Sequence, residues 1–200
     1  MINKLSYIFQ IIVLIKNLIF NNSFNEKNIL KNYIKNGSTI VDIGSNQALY
    51  IKFIEKITRN KNLNIFSIDA SSNCIDLQKN KKFKKNLNIK YFNLVISETV
   101  GLTSFFERKI ISNSSLDKNH KITGDVNTIE KKIQSTTLDQ FCKDQKIDEI
   151  DLLKIDCEGF DYDVLKSSQK LLENNRIKMI KIEIFNSSNN FRNIVNLLTS

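Results

Sequence analysis

The stretch Thr39–Ala48 constrains the fold of this chain more than any other part of the sequence. Its first five residues, Thr39–Ile43, form a mostly β-branched run that is typical of a strand buried on both faces. Gly44 ends the run, and apolar residues at helical spacing follow over Leu49–Ile57. The stretch therefore predicts a parallel strand, a tight turn and the N-terminus of a helix. Sheets of this kind bind ligands at the carboxyl ends of their strands, where Asp42 stands.

The turn after this strand favours a ligand with a positively charged group. Its spacing matches neither the dinucleotide pattern G-x-G-x-x-G nor the phosphate pattern G-x-x-x-x-G-K-[ST]. A carboxylate before a single glycine suits S-adenosyl-L-methionine, which carries an ammonium and a sulfonium, and Gly44 lacks the Cβ that would keep such a ligand away. We therefore predict that Asp42, Gly44, Ser45 and Asn46 bind this cofactor. An ordinary strand-to-helix turn without a ligand is the alternative interpretation.

Strand and helix patterns alternate along most of the chain. Strand-like apolar runs recur at Leu63–Ile68, Ile89–Ile96, Leu152–Ile155 and Lys178–Ile184, with a possible short strand at Leu102–Phe106. Helical patterns stand between them at Cys74–Lys85, Thr137–Lys143, Tyr162–Leu172 and Phe191–Leu198, and Ser112–Lys132 is a long polar loop. This alternation predicts an α/β, three-layer Rossmann-like fold: a mostly parallel sheet with helices on both faces. The strand order expected for such a fold is 3-2-1-4-5.

The ends of the second and third predicted strands add polar residues to the same edge of the sheet. Asp69 ends the second strand, 25 positions after Gly44 (69 − 44). An acid at about this distance hydrogen-bonds the ribose hydroxyls in dinucleotide-binding folds, and the same geometry serves any adenosine ligand. A helix cap is the alternative, because possible cap residues follow at Ser71–Asn73. Ser97 ends the third strand, and we add it to the predicted cofactor site.

Three charged residues converge at the end of the fourth predicted strand. Alternation with a period of two places Lys154, Asp156 and Glu158 on one side of this strand. Such charges are costly unless they bind one another or a ligand. They could therefore form a catalytic site, or an ion pair with Glu158 favourably placed at a helix N-terminus. A third possibility is that the two carboxylates, with Glu183, hold Mg²⁺, which prefers oxygen ligands.

The amino-acid composition bears on which partners and metal sites the protein could have. The net charge of +9 is compatible with nucleic acid or an anionic surface. Lys and Asn recur throughout the chain and Pro and Trp are absent, so a genome-wide bias explains the charge without such a partner. The three cysteines are scattered and form no C-x-x-C, which predicts neither a disulfide framework nor a zinc site and fits a cytoplasmic protein.

The N-terminal segment is strongly apolar. Leu5–Phe20 is broken by polar residues and is shorter than the ~18 uninterrupted apolar residues that indicate a spanning helix. It predicts a helix that either lies in a membrane interface, with Lys4 and Lys16 at the head-group level, or packs on the domain. A second helical pattern follows, and we divide the chain into an N-terminal helical segment, residues 1–36, and a Rossmann-like domain, residues 37–200.

Four sequence elements, taken in order, resemble the FkbM family of S-adenosylmethionine-dependent methyltransferases. Val41–Ala48 resembles the family's V-D-[VI]-G-[AS]-N-x-G. Leu152–Lys166 resembles its L-L-K-I-D-x-E-G-x-E-x-x-V-L-K. Ser114–Leu116 and Thr137–Asp139 resemble its serine-serine-leucine and threonine-leucine-aspartate elements. The resemblance extends over most of the chain, from about Thr39 to Phe185.

The resemblance implies a class I methyltransferase fold, S-adenosyl-L-methionine as cofactor and O-methylation of a hydroxyl on a glycan or other small-molecule acceptor. Asp69–Ala70 stands where the family more often has Glu-Pro, so Ala70 joins the implied cofactor site. Asp156 or Glu158 would act as the base for the acceptor hydroxyl, with Lys154 beside them. His120, in the polar loop, is a second candidate base.

Two departures from the family pattern define the alternatives. Ala48 replaces the last glycine of the first element and could crowd the ligand by a methyl group. The chain ends at Ser200, before the C-terminal hairpin that completes a class I sheet, so we expect a shortened member or a fragment. A catalytically inactive Rossmann-like binding module is therefore the alternative function. Nucleic acid is not expected as a partner, since the chain lacks the prolines of amino-methylating enzymes, whereas peripheral membrane contact through Leu5–Phe20 is possible.

Overall fold

The computed structural model describes residues 10–15, 22–108, 128–184 and 190–199. Within these ranges it contains seven helices and nine strands. The helices are α1 (Asn22–Tyr33), α2 (Leu49–Thr58), α3 (Ser72–Lys79), α4 (Leu138–Gln145), α5 (Asp161–Lys166), α6 (Gln169–Glu173) and α7 (Asn190–Thr199). The strands are β1 (Gln10–Ile15), β2 (Thr39–Ile43), β3 (Leu63–Asp69), β4 (Leu87–Asn93), β5 (Val95–Ile96), β6 (Gly101–Arg108), β7 (Thr128–Thr136), β8 (Leu152–Ile155) and β9 (Met179–Ile184).

Six of these strands form one parallel sheet in the order β1-β9-β8-β2-β3-β4. Without β1, this is the 3-2-1-4-5 order that the sequence predicts, and the predicted α/β fold with a mostly parallel sheet is confirmed. The strand β2 lies between β3 and β8. The loop that follows β2 is therefore flanked by the carboxyl ends of both neighbouring strands.

Side-chain alternation sends the apolar residues of the central strands into two separate cores. One core packs α1 and α2 on one face of the sheet, against the strand residues Ile40, Ile65, Leu152 and Met179. The other core packs α4, α5, α6 and α7 on the opposite face, against the strand residues Val41, Ile43, Phe66, Ile68, Leu153, Ile155, Ile180 and Ile182. Because both faces are covered, the central strands are apolar almost throughout.

A row of polar side chains crosses the face that carries α1 and α2, close to the carboxyl end of the sheet. Ser67 of β3, Asp42 of β2, Lys154 of β8 and Lys181 of β9 occupy neighbouring positions in the strand register. Each stands two positions after an apolar residue of the first core, so all four point to the same face. This face therefore changes from apolar to polar within one layer of side chains.

A second sheet, in the order β5-β7-β6, contains strands that the sequence pattern located only in part. The short extra strand is confirmed as β6, whereas the single third strand Ile89–Ile96 is divided into β4 and β5. The predicted loop Ser112–Lys132 is wrong for residues 128–132, which belong to β7 and pair with β6. The adjacent Lys131 and Lys132 hide the alternation of β7, so the strand becomes evident only through its partner.

The predicted helix Tyr162–Leu172 is interrupted and forms the two short helices α5 and α6. Ser167 and Ser168 stand between them, and their hydroxyls donate to main-chain carbonyls of α5 at 2.7 and 2.6 Å. Asp139 accepts hydrogen bonds from the first turn of α6, at the main-chain nitrogens of residues 170 and 171, both at 3.0 Å. These side-chain hydrogen bonds compete with a continuous helix and explain the break.

The predicted apolar helix over Leu5–Phe20 is wrong for Gln10–Ile15, which form β1 and pair in parallel with β9. A short run rich in isoleucine and valine suits a strand, and the edge of β9 provides the hydrogen-bond partners. Residues 5–9 and 16–20 lie outside the described residues, as do His120 and Ser114–Leu116. The division after residue 36 and the membrane contact stay predictions. No helix in the described ranges has the length and apolar character needed to cross a membrane.

Candidate active site

A cleft of about 490 Å³ opens at the carboxyl ends of β2, β8 and β9. Residues 44–47, which follow β2, form one wall, and Leu49, Tyr50 and Phe53 of α2 form another. The end of β8 and Lys181 of β9 complete the lining. The position agrees with the expectation that an open parallel sheet binds its ligand at the strand ends.

Gly44 allows the turn after β8 to approach the loop after β2. It has a φ of +70°, and a Cβ at this position would lie 1.9 Å from the carbonyl oxygen of Asp156. The amides of Gly44 and Ser45 both donate to the carbonyl of Ile68, at 3.0 and 3.1 Å. The glycine is therefore required by backbone packing between two neighbouring loops. Gly44 also lines the cleft, so its predicted contact with the cofactor stays a prediction.

Lys154 joins the predicted cofactor residue Asp42 to the predicted catalytic residue Asp156. Its Nζ lies 3.1 Å from Oδ1 of Asp42 and 3.5 Å from Oδ2 of Asp156, and it donates to the carbonyl of Gly44 at 2.7 Å. Asp42 and Lys154 are buried, whereas the side chain of Asp156 is 38% exposed. Asp156 is thus the member of this cluster that an incoming molecule can reach.

Burial and charge act in opposite directions on this cluster. Burial raises the pKa of Asp42, and the ammonium of Lys154 opposes the rise without cancelling it. For Lys154, burial alone would lower the pKa, but the carboxylates of Asp42 and Asp156 outweigh it and hold the pKa above its ordinary value. Lys154 therefore stays protonated between the two carboxyl groups.

Asp42 lacks full compensation for its burial within the described residues. The contact with Lys154 is an ion pair without hydrogen-bond geometry, and neither carboxylate oxygen has a hydrogen-bond partner there. Buried carboxylates in proteins are normally both paired and hydrogen-bonded. Buried carboxylate oxygens without hydrogen-bond donors fit a ligand that brings positive charge and hydrogen-bond donors.

Asp69 closes the neighbouring strand β3 and holds the loop after β2. Its Oδ2 accepts a hydrogen bond from the amide of Asn46 at 2.7 Å, and its Oδ1 accepts one from the amide of Ser71 at 2.8 Å. Burial raises the pKa of Asp69, and these two amides oppose the rise. Each oxygen keeps a second lone pair, so the carboxylate can still accept a ribose hydroxyl. Both interpretations of Asp69, as turn residue and as ligand-binding residue, are compatible with this geometry.

Gln78 of α3 supports the same loop and was not identified from the sequence. This fully buried side chain accepts a hydrogen bond from the hydroxyl of Ser67 at 2.5 Å. Its amide nitrogen donates to Oγ of Ser45 at 2.8 Å and to the carbonyl of Asn46 at 2.5 Å. The sequence does contain a signal for this contact: Gln78 lies four positions after Cys74 and three after Ile75, which is the spacing of residues on one face of a helix. Gln78 thus holds the hydroxyl of Ser45 within the loop, and the predicted contact of Ser45 with the cofactor stays a prediction.

A comparison with known protein families identifies the family of this chain. The profile of the methyltransferase FkbM domain matches residues 42–200, which is well over half of the sequence. The chain belongs to the FkbM methyltransferase family. The match begins at Asp42 and so includes the loop after β2, the turn after β8 and every lining residue of the cleft.

A solved structure has a similar fold. It is the crystal structure of methyltransferase FkbM from Methylobacillus flagellatus KT, with a TM-score of 0.55 and 14% sequence identity. The similarity covers 83% of this chain and 38% of that protein, so this FkbM domain spans well under half of its structural neighbour. At this identity the likeness supports the fold. No curated protein sequence matches the chain.

Half of the predicted site residues of this FkbM domain line the cleft, namely Gly44, Ser45, Asn46, Lys154 and Asp156. The other predicted site residues, Asp42, Asp69, Ala70, Ser97 and Glu158, are not part of the lining. Glu158, with a φ of +47°, stands in the turn after β8, and Asp161 holds that turn by accepting hydrogen bonds from the amides of residues 157 and 159. Ser97 directly follows β5 of the second sheet, and its hydroxyl lies 2.7 Å from that of Ser135 in β7. Ala70 packs against the small core of that sheet. The roles of Glu158, Ser97 and Ala70 therefore stay predictions.

Metal binding receives no support from the described residues. They contain no group of three His, Cys, Asp or Glu residues placed to hold a metal ion. The side chain of Glu183, which the sequence offered as a third ligand beside Asp156 and Glu158, lies outside the described residues.

Proposed function

We propose that this FkbM domain binds S-adenosyl-L-methionine at the carboxyl ends of β2, β3 and β8 and transfers its methyl group to a hydroxyl of a glycan or another small molecule. The observation that carries the proposal is the buried carboxylate of Asp42, whose oxygens have no hydrogen-bond partner within the described residues. S-adenosylmethionine carries a net positive charge at neutral pH. Charge complementarity in a partly buried site favours such a ligand over a nucleotide phosphate.

The proposed binding residues follow from their places in the fold. Asp69, at the tip of β3, would accept a ribose hydroxyl, as acids at this position do in related sheets. The loop after β2 and the cluster around Asp42 would hold the part of the cofactor that carries positive charge. When bound, the cofactor supplies a methyl group that is already activated by its sulfonium. The protein then has to orient the acceptor and receive a proton.

Asp156 is the residue that we propose for the acceptor hydroxyl. It lines the cleft at the end of β8, next to β2 in the sheet, and its side chain is partly exposed. A carboxylate within hydrogen-bond reach of the hydroxyl aligns it and accepts its proton as the new bond forms. Lys154 holds this carboxylate from the buried side, at 3.5 Å. Lys154 would therefore act as a positioning residue.

Calorimetry tests the cofactor assignment. We expect micromolar binding of S-adenosylmethionine and of its demethylated product, S-adenosylhomocysteine. Asp42→Ala and Asp69→Ala should weaken both. Asp42 is the buried partner of Lys154, which lines the cleft, and Asp69 holds the loop after β2 and is proposed to accept a ribose hydroxyl. Asp76→Ala, which changes an exposed acid of α3, is the matched control and should leave both affinities unchanged. Tight binding of NADH without any response to S-adenosylhomocysteine would disprove the assignment.

Transfer is tested separately from binding. Incubation with methyl-labelled cofactor and a panel of hydroxyl acceptors should produce a methyl ether. Cofactor binding without transfer to any hydroxyl acceptor would contradict the proposed reaction and support a binding module.

A further inference from the structure

A second charged group lines the cleft on the far side of Lys154 from Asp42. Lys181 of β9 is the register neighbour of Lys154 in the polar row. Its Nζ lies 2.9 Å from Oε1 of Glu26, a residue of α1, and 4.3 Å from the centre of the Tyr50 ring. The hydroxyl of Tyr50 donates to the same oxygen of Glu26 at 3.1 Å.

The charged side chains of this group are mostly buried, although the cleft that they border is open to solvent. The side chain of Glu26 is 8% exposed and that of Lys181 is 15% exposed, yet Lys181 lines the cleft. Burial raises the pKa of Tyr50 well above its ordinary value, and the carboxylate of Glu26 adds to the rise. The phenol therefore stays neutral and donates its proton to Glu26. Glu26 and the ring of Tyr50 together fix the direction of the ammonium.

The two lysines of the cleft have different surroundings. Lys154 has two carboxylates and a carbonyl as partners, so its positive charge already interacts with groups of the protein. Lys181 shares one carboxylate with a phenol, and an ammonium has three donor hydrogens. Of these two cations, Lys181 is the better placed to receive an anionic group from a ligand in the cleft.

The distance along the sheet identifies which part of a ligand would reach Lys181. From β3, where Asp69 stands, to β9 there are three strand spacings of about 4.8 Å, or about 14 Å in all. In S-adenosylmethionine, about nine bonds separate a ribose hydroxyl oxygen from the carboxylate oxygen, which with a hydrogen bond at each end extends over roughly 15 Å. A cofactor with its ribose at Asp69 would therefore bring its carboxylate to β9.

We propose that Lys181 binds the carboxylate at the amino-acid end of S-adenosylmethionine, with Glu26 and Tyr50 positioning the lysine. The proposal rests on the proposed function, since it assigns a subsite of the same cofactor. It also gives α1 a part in the site, because Glu26 belongs to that helix. The ligand's positive groups then lie towards the negative cluster of Asp42, and its carboxylate lies towards the cation on the other side.

The test compares two ligands that differ only in the carboxylate. Calorimetry with S-adenosylhomocysteine and with its decarboxylated analogue gives an affinity ratio that a general loss of stability does not change. We expect Lys181→Gln to weaken S-adenosylhomocysteine about tenfold to a hundredfold, the scale of one charge-assisted hydrogen bond, and to leave the analogue within about twofold. Lys181→Arg should restore part of the ratio. Lys178→Gln, an exposed lysine just before β9 that pairs with Glu149, is the control and should change neither affinity.

Two outcomes separate this proposal from the proposed function. If the unmodified protein binds neither ligand, the cofactor assignment itself fails. If it binds both, and Lys181→Gln lowers both affinities equally or not at all, Lys181 does not bind the carboxylate although the cofactor assignment stands. Should Lys181→Gln leave Glu26 buried without its partner and unfold the protein, the double variant with Glu26→Gln removes both charges and is read in the same way.

Discussion

Substitution of Gly44 by alanine tests how the two loops of the site are packed. The residue has a φ of +70°, and its missing Cβ leaves room for the main chain of the turn after β8. An added Cβ would stand 1.9 Å from the carbonyl oxygen of Asp156 and 2.8 Å from its carbonyl carbon. An ordinary contact begins at 3.4 Å, so this turn must move by about 1.5 Å (3.4 − 1.9). The obstacle is backbone, which cannot rotate away as a flexible side chain can.

The cost can be estimated from the contacts involved. An alanine in the left-handed region costs about 1–2 kcal/mol. Forcing an extra carbon into a packed site adds about 1–3 kcal/mol. The moved turn also strains the hydrogen bond from the amide of Asp156 to the carbonyl of Ile43, now 3.1 Å, which is worth about 1 kcal/mol. Alanine recovers up to about 1 kcal/mol by restricting the unfolded chain, so Gly44→Ala should destabilise the protein by about 2–5 kcal/mol.

Gly37→Ala is the matched control for the conformational part of this cost. Gly37 also has a positive φ, +87°, but no atom lies within 4 Å of the position of its Cβ. Its substitution should therefore cost only about 1 kcal/mol, the strain less the gain in the unfolded state. Thermal unfolding followed by circular dichroism should show a fall in Tm of roughly 10 °C for Gly44→Ala and of roughly 3 °C for Gly37→Ala.

One outcome of this comparison would refute the packing argument. If the two variants unfold at the same temperature, the close approach of the two loops does not exist in solution and the packing argument for Gly44 is wrong. The same experiment reports on function, because the turn that must move carries Asp156. A folded Gly44→Ala protein should bind S-adenosylhomocysteine more weakly than Gly37→Ala.

Three further predictions follow from the site and its buried groups. Asp156→Asn should fold and bind S-adenosylhomocysteine normally but lower methyl transfer by roughly a hundredfold or more, as measured on a verified acceptor; full turnover would exclude it as the base. Lys154→Met should lower the free energy of unfolding in urea by about 3–5 kcal/mol, because Asp42 loses its buried partner. Lys154 opposes the rise that burial causes in the pKa of Asp42, so this pKa is higher still in the variant. The variant therefore gains stability from protonation at a higher pH than the unmodified protein, and the deficit should shrink as the pH falls; a deficit that is equal at every pH would refute the pairing. Burial raises the pKa of the Cys74 and Cys142 thiols to about 12, so both should react slowly with a disulfide reagent near pH 8 and rapidly once unfolded, and fast labelling of the folded protein would contradict their burial.

Much of the central sheet could be predicted from the sequence because the information in it is local. Thr39–Ile43 and Leu152–Ile155 are short apolar runs, and in the structure both are strands with helices packed on both sides. The convergence of Asp42, Lys154 and Asp156 could be anticipated as well. Each stands near the carboxyl end of a parallel strand, and those ends meet at one edge of the sheet.

The elements that sequence reasoning missed depend on partners far away in the chain. Gln10–Ile15 has the composition of either a buried helix or a strand, and the free edge of β9 decides in favour of the strand. The N-terminal part of β7 has two adjacent lysines and little alternation, and it is a strand because β6 pairs with it. A pattern read along the chain cannot contain a hydrogen-bond ladder that a distant segment provides.

The site shows the same division between what is local and what is not. The sequence by itself determined the chemistry at the strand ends: carboxylates at residues 42, 69 and 156, with a lysine among them. Only the tertiary structure decided which groups meet, since Glu26 and Lys181 are 155 positions apart and join only when α1 packs on the sheet. It also brought Gly44 against the main chain of a loop more than a hundred residues later, which an added side chain would obstruct. The physical reason is that contact depends on the separation of atoms in the folded chain, whereas residue types and their spacing depend on the sequence alone.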